Sequence, residues 1–158
     1  MYEQGVIRPP SEASSLLIRV TRNCPWNQCL FCPAYKGVKF SKRTVEEVKK
    51  DIDSMADERR GYSGVKTAFL QDADSLMLPA EDLILILDHL KGKFPKIDRI
   101  TTYARARTLS HKSVDDLKRL KLAGLTRIHT GMESGSAKVL QMIKKGITPK
   151  KWLLGVDT

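Results

Sequence analysis

Apolar residues recur along this chain in two alternating rhythms. Four short runs are compact and bounded by polar or turn residues, as buried strands are: Leu16 to Thr21 (LLIRVT), Lys66 to Gln71 (KTAFLQ), Arg99 to Ala104 (RITTYA) and Thr126 to Thr130. Between them the spacing becomes helical. Thr44 and Glu47 form a capping box ahead of Val45, Val48, Ile52 and Met55, and Gly61 and Gly64 are expected to close that unit. Pro79 opens a helix carrying Leu83, Leu87, Leu90 and Phe94, which Pro95 ends. A third helix begins near Ser113, turns Leu117 and Leu120 inward and takes Gly124 as its C-terminal cap. Gly131 to Ser136 (GMESGS) leads into a fourth, holding Val139, Leu140 and Ile143 and stopped by Gly146. Thr148 and Pro149 read as the cap and first residue of a fifth.

Strand and helix in regular alternation predict an α/β protein, with parallel strands joined by crossover helices in about four to five βα units of a partial (β/α) barrel. The first unit is the longest because it houses all the cysteines. Four units are too few to close an eight-stranded barrel, and 158 residues leave room for one hydrophobic core. Residues 1–158 are therefore expected to form a single, incomplete domain.

Composition narrows the classes. With 41% hydrophobic and 29% charged residues and no long polar tract, the chain falls among folded proteins rather than disordered ones. No apolar run reaches the roughly 18 residues of a membrane span, and Met1 to Pro10 lacks the order of a secretory signal, so a cytoplasmic location without a membrane partner is expected. The net charge of +10 admits RNA as a partner, although Lys and Arg alternate with Asp and Glu along the helices, as on a solvated face.

The three cysteines are an odd number confined to residues 24–32, which disfavours a disulfide framework and favours metal. Cys24, Cys29 and Cys32 lie on one loop beyond the first strand, where βα proteins build their sites. A 4Fe-4S cluster held by three thiolates keeps one iron free of protein sulfur and open to a cofactor, whereas electron-transfer clusters of this type are usually held by four. Zinc is the competing metal, since Cys3His sites are common and His89, His111 and His129 are present; none of these is near the cysteines in sequence. Buried cysteines without a ligand are the remaining alternative.

The run TRNCPWNQCLFCPAYKG together with GMESGS beyond the fourth strand resembles the radical SAM superfamily. The usual signature there is C-x3-C-x2-C; this chain has C-x4-C-x2-C, the spacing of an elongator-like subgroup, and the resemblance runs from about Arg8 to Gly146. It implies a radical SAM core in which Cys24, Cys29 and Cys32 hold the 4Fe-4S cluster and S-adenosyl-L-methionine is reductively cleaved to a 5'-deoxyadenosyl radical. An external one-electron reductant of flavodoxin or ferredoxin type and an unknown substrate are implied with it.

The same resemblance assigns further residues. Phe31 would lie against the adenine. Where relatives carry a glycine-rich stretch meeting the methionyl amino group, this chain reads Gln71-Asp72-Ala73-Asp74, so Asp72 and Asp74 are expected to hold that ammonium; loop and capping chemistry is their other reading. Glu133 would contact the ribose or methionyl part, with Gly131 allowing close backbone approach and Ser134 beside it, unless these residues merely start the fourth helix. Arg105 could steady a carboxylate. Trp26 is expected as a lid over the cluster, Tyr35 and Lys36 as packing or surface residues that could otherwise help close the cofactor pocket, and His129 as a core or substrate-side residue. A non-catalytic basic module, stabilised by zinc or a cluster and binding RNA, is the alternative function.

Overall fold

The computed structural model describes residues 2–57 and 64–156. Four parallel strands form the sheet: β1 (Leu16–Arg19), then, beyond the short antiparallel pair β2 (Thr21–Arg22) and β3 (Ser41–Lys42), β4 (Thr67–Gln71), β5 (Arg99–Tyr103) and β6 (Leu125–His129). Their order is β1-β4-β5-β6, with Leu16 opposite Ala68, Ala68 opposite Ile100, and Tyr103 opposite His129. The connecting helices are α1 (Val45–Asp57), α2 (Ala80–Lys93), the short α3 (Ala106–Leu109) and α4 (Val114–Ala123). After β6 come α5 (Ala137–Met142) and α6 (Pro149–Val156). This is the predicted partial barrel of four βα units and a fifth helix.

Strand alternation divides the residues between two faces. Leu16, Ile18, Ala68, Leu70 and Ile100 point to one face and join Val48, Ile52 and Met55 of α1, Leu83, Leu87 and Leu90 of α2, and Leu120 of α4 in the core. Phe69, Gln71, Thr101, Tyr103, Arg127 and His129 lie on the other face. The N-terminal segment meets this second face: the Gly5 N–H donates to Gln71 Oε1 at 2.9 Å, Gln71 Nε2 donates to the Ile7 carbonyl at 3.1 Å, and Arg127 donates to the fully buried Glu12. Burial pushes the Glu12 carboxyl up, but hydrogen bonds from Ser15, Thr101 and Arg127 outweigh it and hold the pKa below the ordinary glutamate value.

The local signals act as expected. Thr44 Oγ1 accepts from the Glu47 N–H at 3.1 Å while Glu47 Oε2 accepts from the Thr44 N–H at 2.8 Å, completing the capping box. Ser113 caps α4, which ends at Gly124 with φ +115°, and Ser136 caps α5. Thr148 caps α6 through the Lys151 N–H at 3.3 Å.

Two expectations are corrected. The first strand does not run to Thr21: it ends at Arg19, because the Val20 N–H turns to the Gln71 carbonyl and Thr21 pairs with Lys42 instead. Val139 is 40% exposed; on α5 only Leu140 is buried, since so short a helix offers a single inward position. Tyr35 is buried, in keeping with a packing role. Gly61 lies outside the described residues. Among the described residues no helix is long and apolar enough to cross a membrane.

Candidate functional site

The cysteine loop is knitted by its asparagines. Asn23 and Asn27 adopt φ values of 67° and 48°, a left-handed conformation that asparagine tolerates better than most residues. Asn23 Nδ2 donates to the Lys39 carbonyl at 2.5 Å, Asn27 Nδ2 donates to the carbonyls of Tyr35 and Val38, and Lys36 Nζ returns to the Asn27 carbonyl at 2.9 Å. The Asn27 N–H points at Cys24 Sγ, 3.4 Å away, as N–H groups do when they favour a thiolate. Burial and the neighbouring Cys24 and Cys32 raise the Cys29 thiol pKa, and the charges of Lys145 and Arg105 oppose the rise.

The loop is fastened to the far end of the chain. The Leu30 N–H donates to the Ile143 carbonyl at 2.9 Å and Trp26 Nε1 donates to the Lys144 carbonyl at 2.7 Å. Gly146, at φ +75°, lies under the indole so closely that a Cβ there would stand 2.5 Å from two ring carbons. Trp26 is thereby fixed, with the Arg105 guanidinium 5.2 Å from its centroid on the cavity side.

Asp72 holds the other end of the loop. Its carboxylate is fully buried; Oδ2 accepts from Arg19 Nε at 3.0 Å, Arg19 Nη2 at 2.7 Å and the Asn23 N–H at 2.9 Å, while Oδ1 faces the Tyr35 hydroxyl at 3.4 Å. One side chain thus joins β1, the residue preceding Cys24 and the turn following Cys32. The Tyr35 hydroxyl pKa is raised, by burial first and by the Asp72 charge second.

Asp74 is buried as well, accepting from Thr108 Oγ1 at 2.5 Å and from the Arg105 N–H at 3.2 Å, so it sets the position of the backbone that carries Arg105. Burial pushes its pKa up to about 6 despite those bonds and the charges of Arg105 and Lys112. The folded state therefore holds the proton more tightly than the unfolded chain, whose aspartate titrates near 3.9. Stability contributed by this group declines as pH rises from about 4 to about 6 and is level above, a change of up to about 3 kcal/mol. Asp74→Asn keeps the shape without the titration. Urea denaturation from pH 4 to 7 is expected to show the variant gaining on the wild type across that window; a constant difference between the two would refute this.

These elements enclose a cavity of about 340 Å³ at the C-terminal ends of the strands. Of the residues predicted from sequence, Cys24, Cys29, Cys32, Phe31, Arg105, Gly131 and Glu133 line it. Asp72, Asp74 and Ser134 do not; the two aspartates are buried against other partners, and Ser134 Oγ accepts from the Ser136 N–H at 3.1 Å. Glu133 has φ +63° and pairs with Lys145 at 2.8 Å, and Lys145 lies 5.5 Å from the Phe31 centroid. A Cβ on Gly131 would come within 2.4 Å of Glu133 Oε1, so the missing side chain leaves room for that ion pair.

Sequence reasoning missed Tyr103 and Lys145, and read His129 as a core or substrate-side residue. All three line the cavity, and the first and third were signalled by their position at the ends of adjacent strands. His129 Nε2 and Thr130 Oγ1 are buried without a hydrogen-bond partner, which costs on the order of 1–3 kcal/mol each unless a ligand supplies one. Among the described residues no three His, Cys, Asp or Glu converge as a single metal ion requires. Cysteines on a cubane cluster need not converge, since each binds a different iron.

Fold and cavity together define the class: a parallel βα protein whose cysteines and polar groups gather beyond the carboxyl ends of its strands. The chain belongs to the Radical SAM superfamily, an enzyme family whose description matches residues 18–158. It is 30% identical over 146 residues to an uncharacterized methyltransferase of Pyrococcus horikoshii, covering 90% of this chain and 29% of that protein. It is 26% identical over 156 residues to the 4'-phospho-dehydrooxetanocin synthase of Priestia megaterium, covering 90% of this chain and 21% of that one.

Among solved structures it is similar to the cobalamin-dependent S-adenosylmethionine radical enzyme OxsB with aqua-cobalamin and S-adenosylmethionine bound. The TM-score is 0.69 at 26% identity, over 89% of this chain and 21% of that chain. Coproporphyrinogen III oxidase of Escherichia coli, a radical SAM enzyme, shares the fold with a TM-score of 0.57 at 16% identity, over 88% and 32%. The chain spans between about a fifth and a third of the length of these relatives. Nothing in them supports the alternative of a basic RNA-binding module.

Proposed function

We propose that this chain is the cofactor-binding core of a radical SAM enzyme, in which Cys24, Cys29 and Cys32 hold a 4Fe-4S cluster beside S-adenosyl-L-methionine. The observation that carries the reading is that all three thiols open onto one cavity, with no fourth cysteine in the chain to close the set. The donor set suits the cluster: soft sulfurs, an N–H aimed at Cys24 Sγ, and the cations Lys145 and Arg105 offsetting thiolate charge. When bound, the cluster and cofactor supply one-electron cleavage of the sulfonium, yielding a 5'-deoxyadenosyl radical that abstracts hydrogen from substrate.

The chain's own residues bind and orient. Phe31, on the cavity wall, offers an aromatic face to the adenine. The unsatisfied His129 Nε2 and the carboxylate of Glu133 offer polar contacts to the ribose and the methionyl ammonium, and Arg105 offers a bidentate donor to the carboxylate. Trp26, held by Lys144 and Gly146, covers the thiols against water. Electrons come from an external flavodoxin- or ferredoxin-type donor.

Anaerobic reconstitution of the full-length protein is expected to load about four irons and four sulfides per chain. Dithionite and S-adenosylmethionine should then release 5'-deoxyadenosine. A protein that loads its cluster and releases none is not such an enzyme; one that takes up a single zinc supports the non-catalytic reading.

A further inference from the structure

A second cavity, of about 280 Å³, adjoins the first and shares Arg107 and Ile147 as walls. Among the described residues its polar lining consists of Arg107, Ser110, His111 and Lys151, with no carboxylate. Several other cations are engaged elsewhere: Arg105 with Trp26, Lys145 with Glu133, Lys112 with the Leu78 carbonyl at 2.8 Å, and Arg119 with Glu81 at 2.8 Å. The guanidinium of Arg107 and the ammonium of Lys151 have no acceptor among the described residues.

The turn carrying these groups is internally hydrogen-bonded. The Arg107 carbonyl accepts from Ser110 Oγ at 2.9 Å and from His111 Nδ1 at 2.6 Å. A carbonyl only accepts, so Nδ1 carries the hydrogen and the imidazole is fixed, with Nε2 left as its free ring atom. Lys151 comes from α6, which packs against α3. Two separate elements therefore bring positive charge to one concavity beside the thiol-lined chamber.

We propose that this second cavity is an anion subsite for the phosphoryl group of a small phosphomonoester, whose carbon skeleton extends past Ile147 into the first cavity. The two permanent cations match an anion with several acceptor oxygens, and bidentate or charge-assisted bonds from Arg and Lys are the usual means of holding one. That the phosphoryl-bearing molecule is the enzyme's substrate rests on the radical-enzyme reading; the binding of the anion does not.

The test is calorimetric titration of inorganic phosphate into the full-length protein, with and without the reconstituted cluster, beside Arg107→Ala, Lys151→Ala and the milder Arg107→Gln, each checked by circular dichroism for folding. Saturable binding is expected, weakened about tenfold by either alanine. Absence of saturable binding at millimolar phosphate, or equal affinity in folded variants, overturns the proposal. A single-stranded RNA that competes with phosphate and binds far more tightly, with steep salt dependence, also overturns it in favour of nucleic acid. Phosphate binding that survives while the loaded protein releases no 5'-deoxyadenosine supports the subsite and sinks only the radical-enzyme reading.

Discussion

Alanine at position 72 is expected to lower the free energy of unfolding by about 3 kcal/mol or more, since removing one partner of a buried ion pair strands the other. Arg19 has a 12% exposed side chain, with Glu3 at 2.7 Å as its remaining counter-charge, which sets the loss toward the lower end of the range. The Asn23 N–H and the Tyr35 hydroxyl lose their acceptor at the same time, so both flanks of the cysteine loop are released. Asp72→Asn keeps the shape and an oxygen for one of these donors, and should cost distinctly less. Urea denaturation followed by far-ultraviolet circular dichroism measures both. Wild-type stability in Asp72→Ala would mean that the carboxylate does not hold the loop.

Cys29→Ala should show the opposite pattern. Its side chain is small and only partly buried, so the change in unfolding free energy is expected to stay within about 1 kcal/mol. Iron after reconstitution should fall from about four to less than one per chain. Production of 5'-deoxyadenosine should fall to the protein-free blank. Retention of a full cluster in this variant would remove Cys29 from the ligand set and with it the proposed arrangement of the site. Read together, the two variants separate the residue that holds the loop from the residue that does its chemistry.

The elements that could be read from the sequence are those governed by local rules. The capping box at Thr44 and Glu47, the serine cap at Ser113 and the glycine stop at Gly124 each depend on atoms a few residues apart. The four strands were legible because each is a short apolar run between polar borders. The β2–β3 pair was not, since two residues per strand carry no rhythm. The cysteines were recognisable from soft-ligand chemistry and spacing. The roles of Asp72 and Asp74 were hidden: an acid in a loop after a strand looks the same whether it faces a ligand or is buried, and only the partners Arg19, Asn23 and Thr108, each at least 31 positions away, decide. Lys145 escaped for the same reason, its place over Phe31 being set by long-range closure.

That closure has a consequence in time. The bonds from Leu30 to Ile143 and from Trp26 to Lys144 link positions more than a hundred residues apart. At a translation rate of about 5–20 residues per second, roughly 6–24 s separate emergence of the thiols from emergence of their clasp. During synthesis the cysteine loop therefore stays unclasped until the last part of the sheet and the helices beyond it have been made.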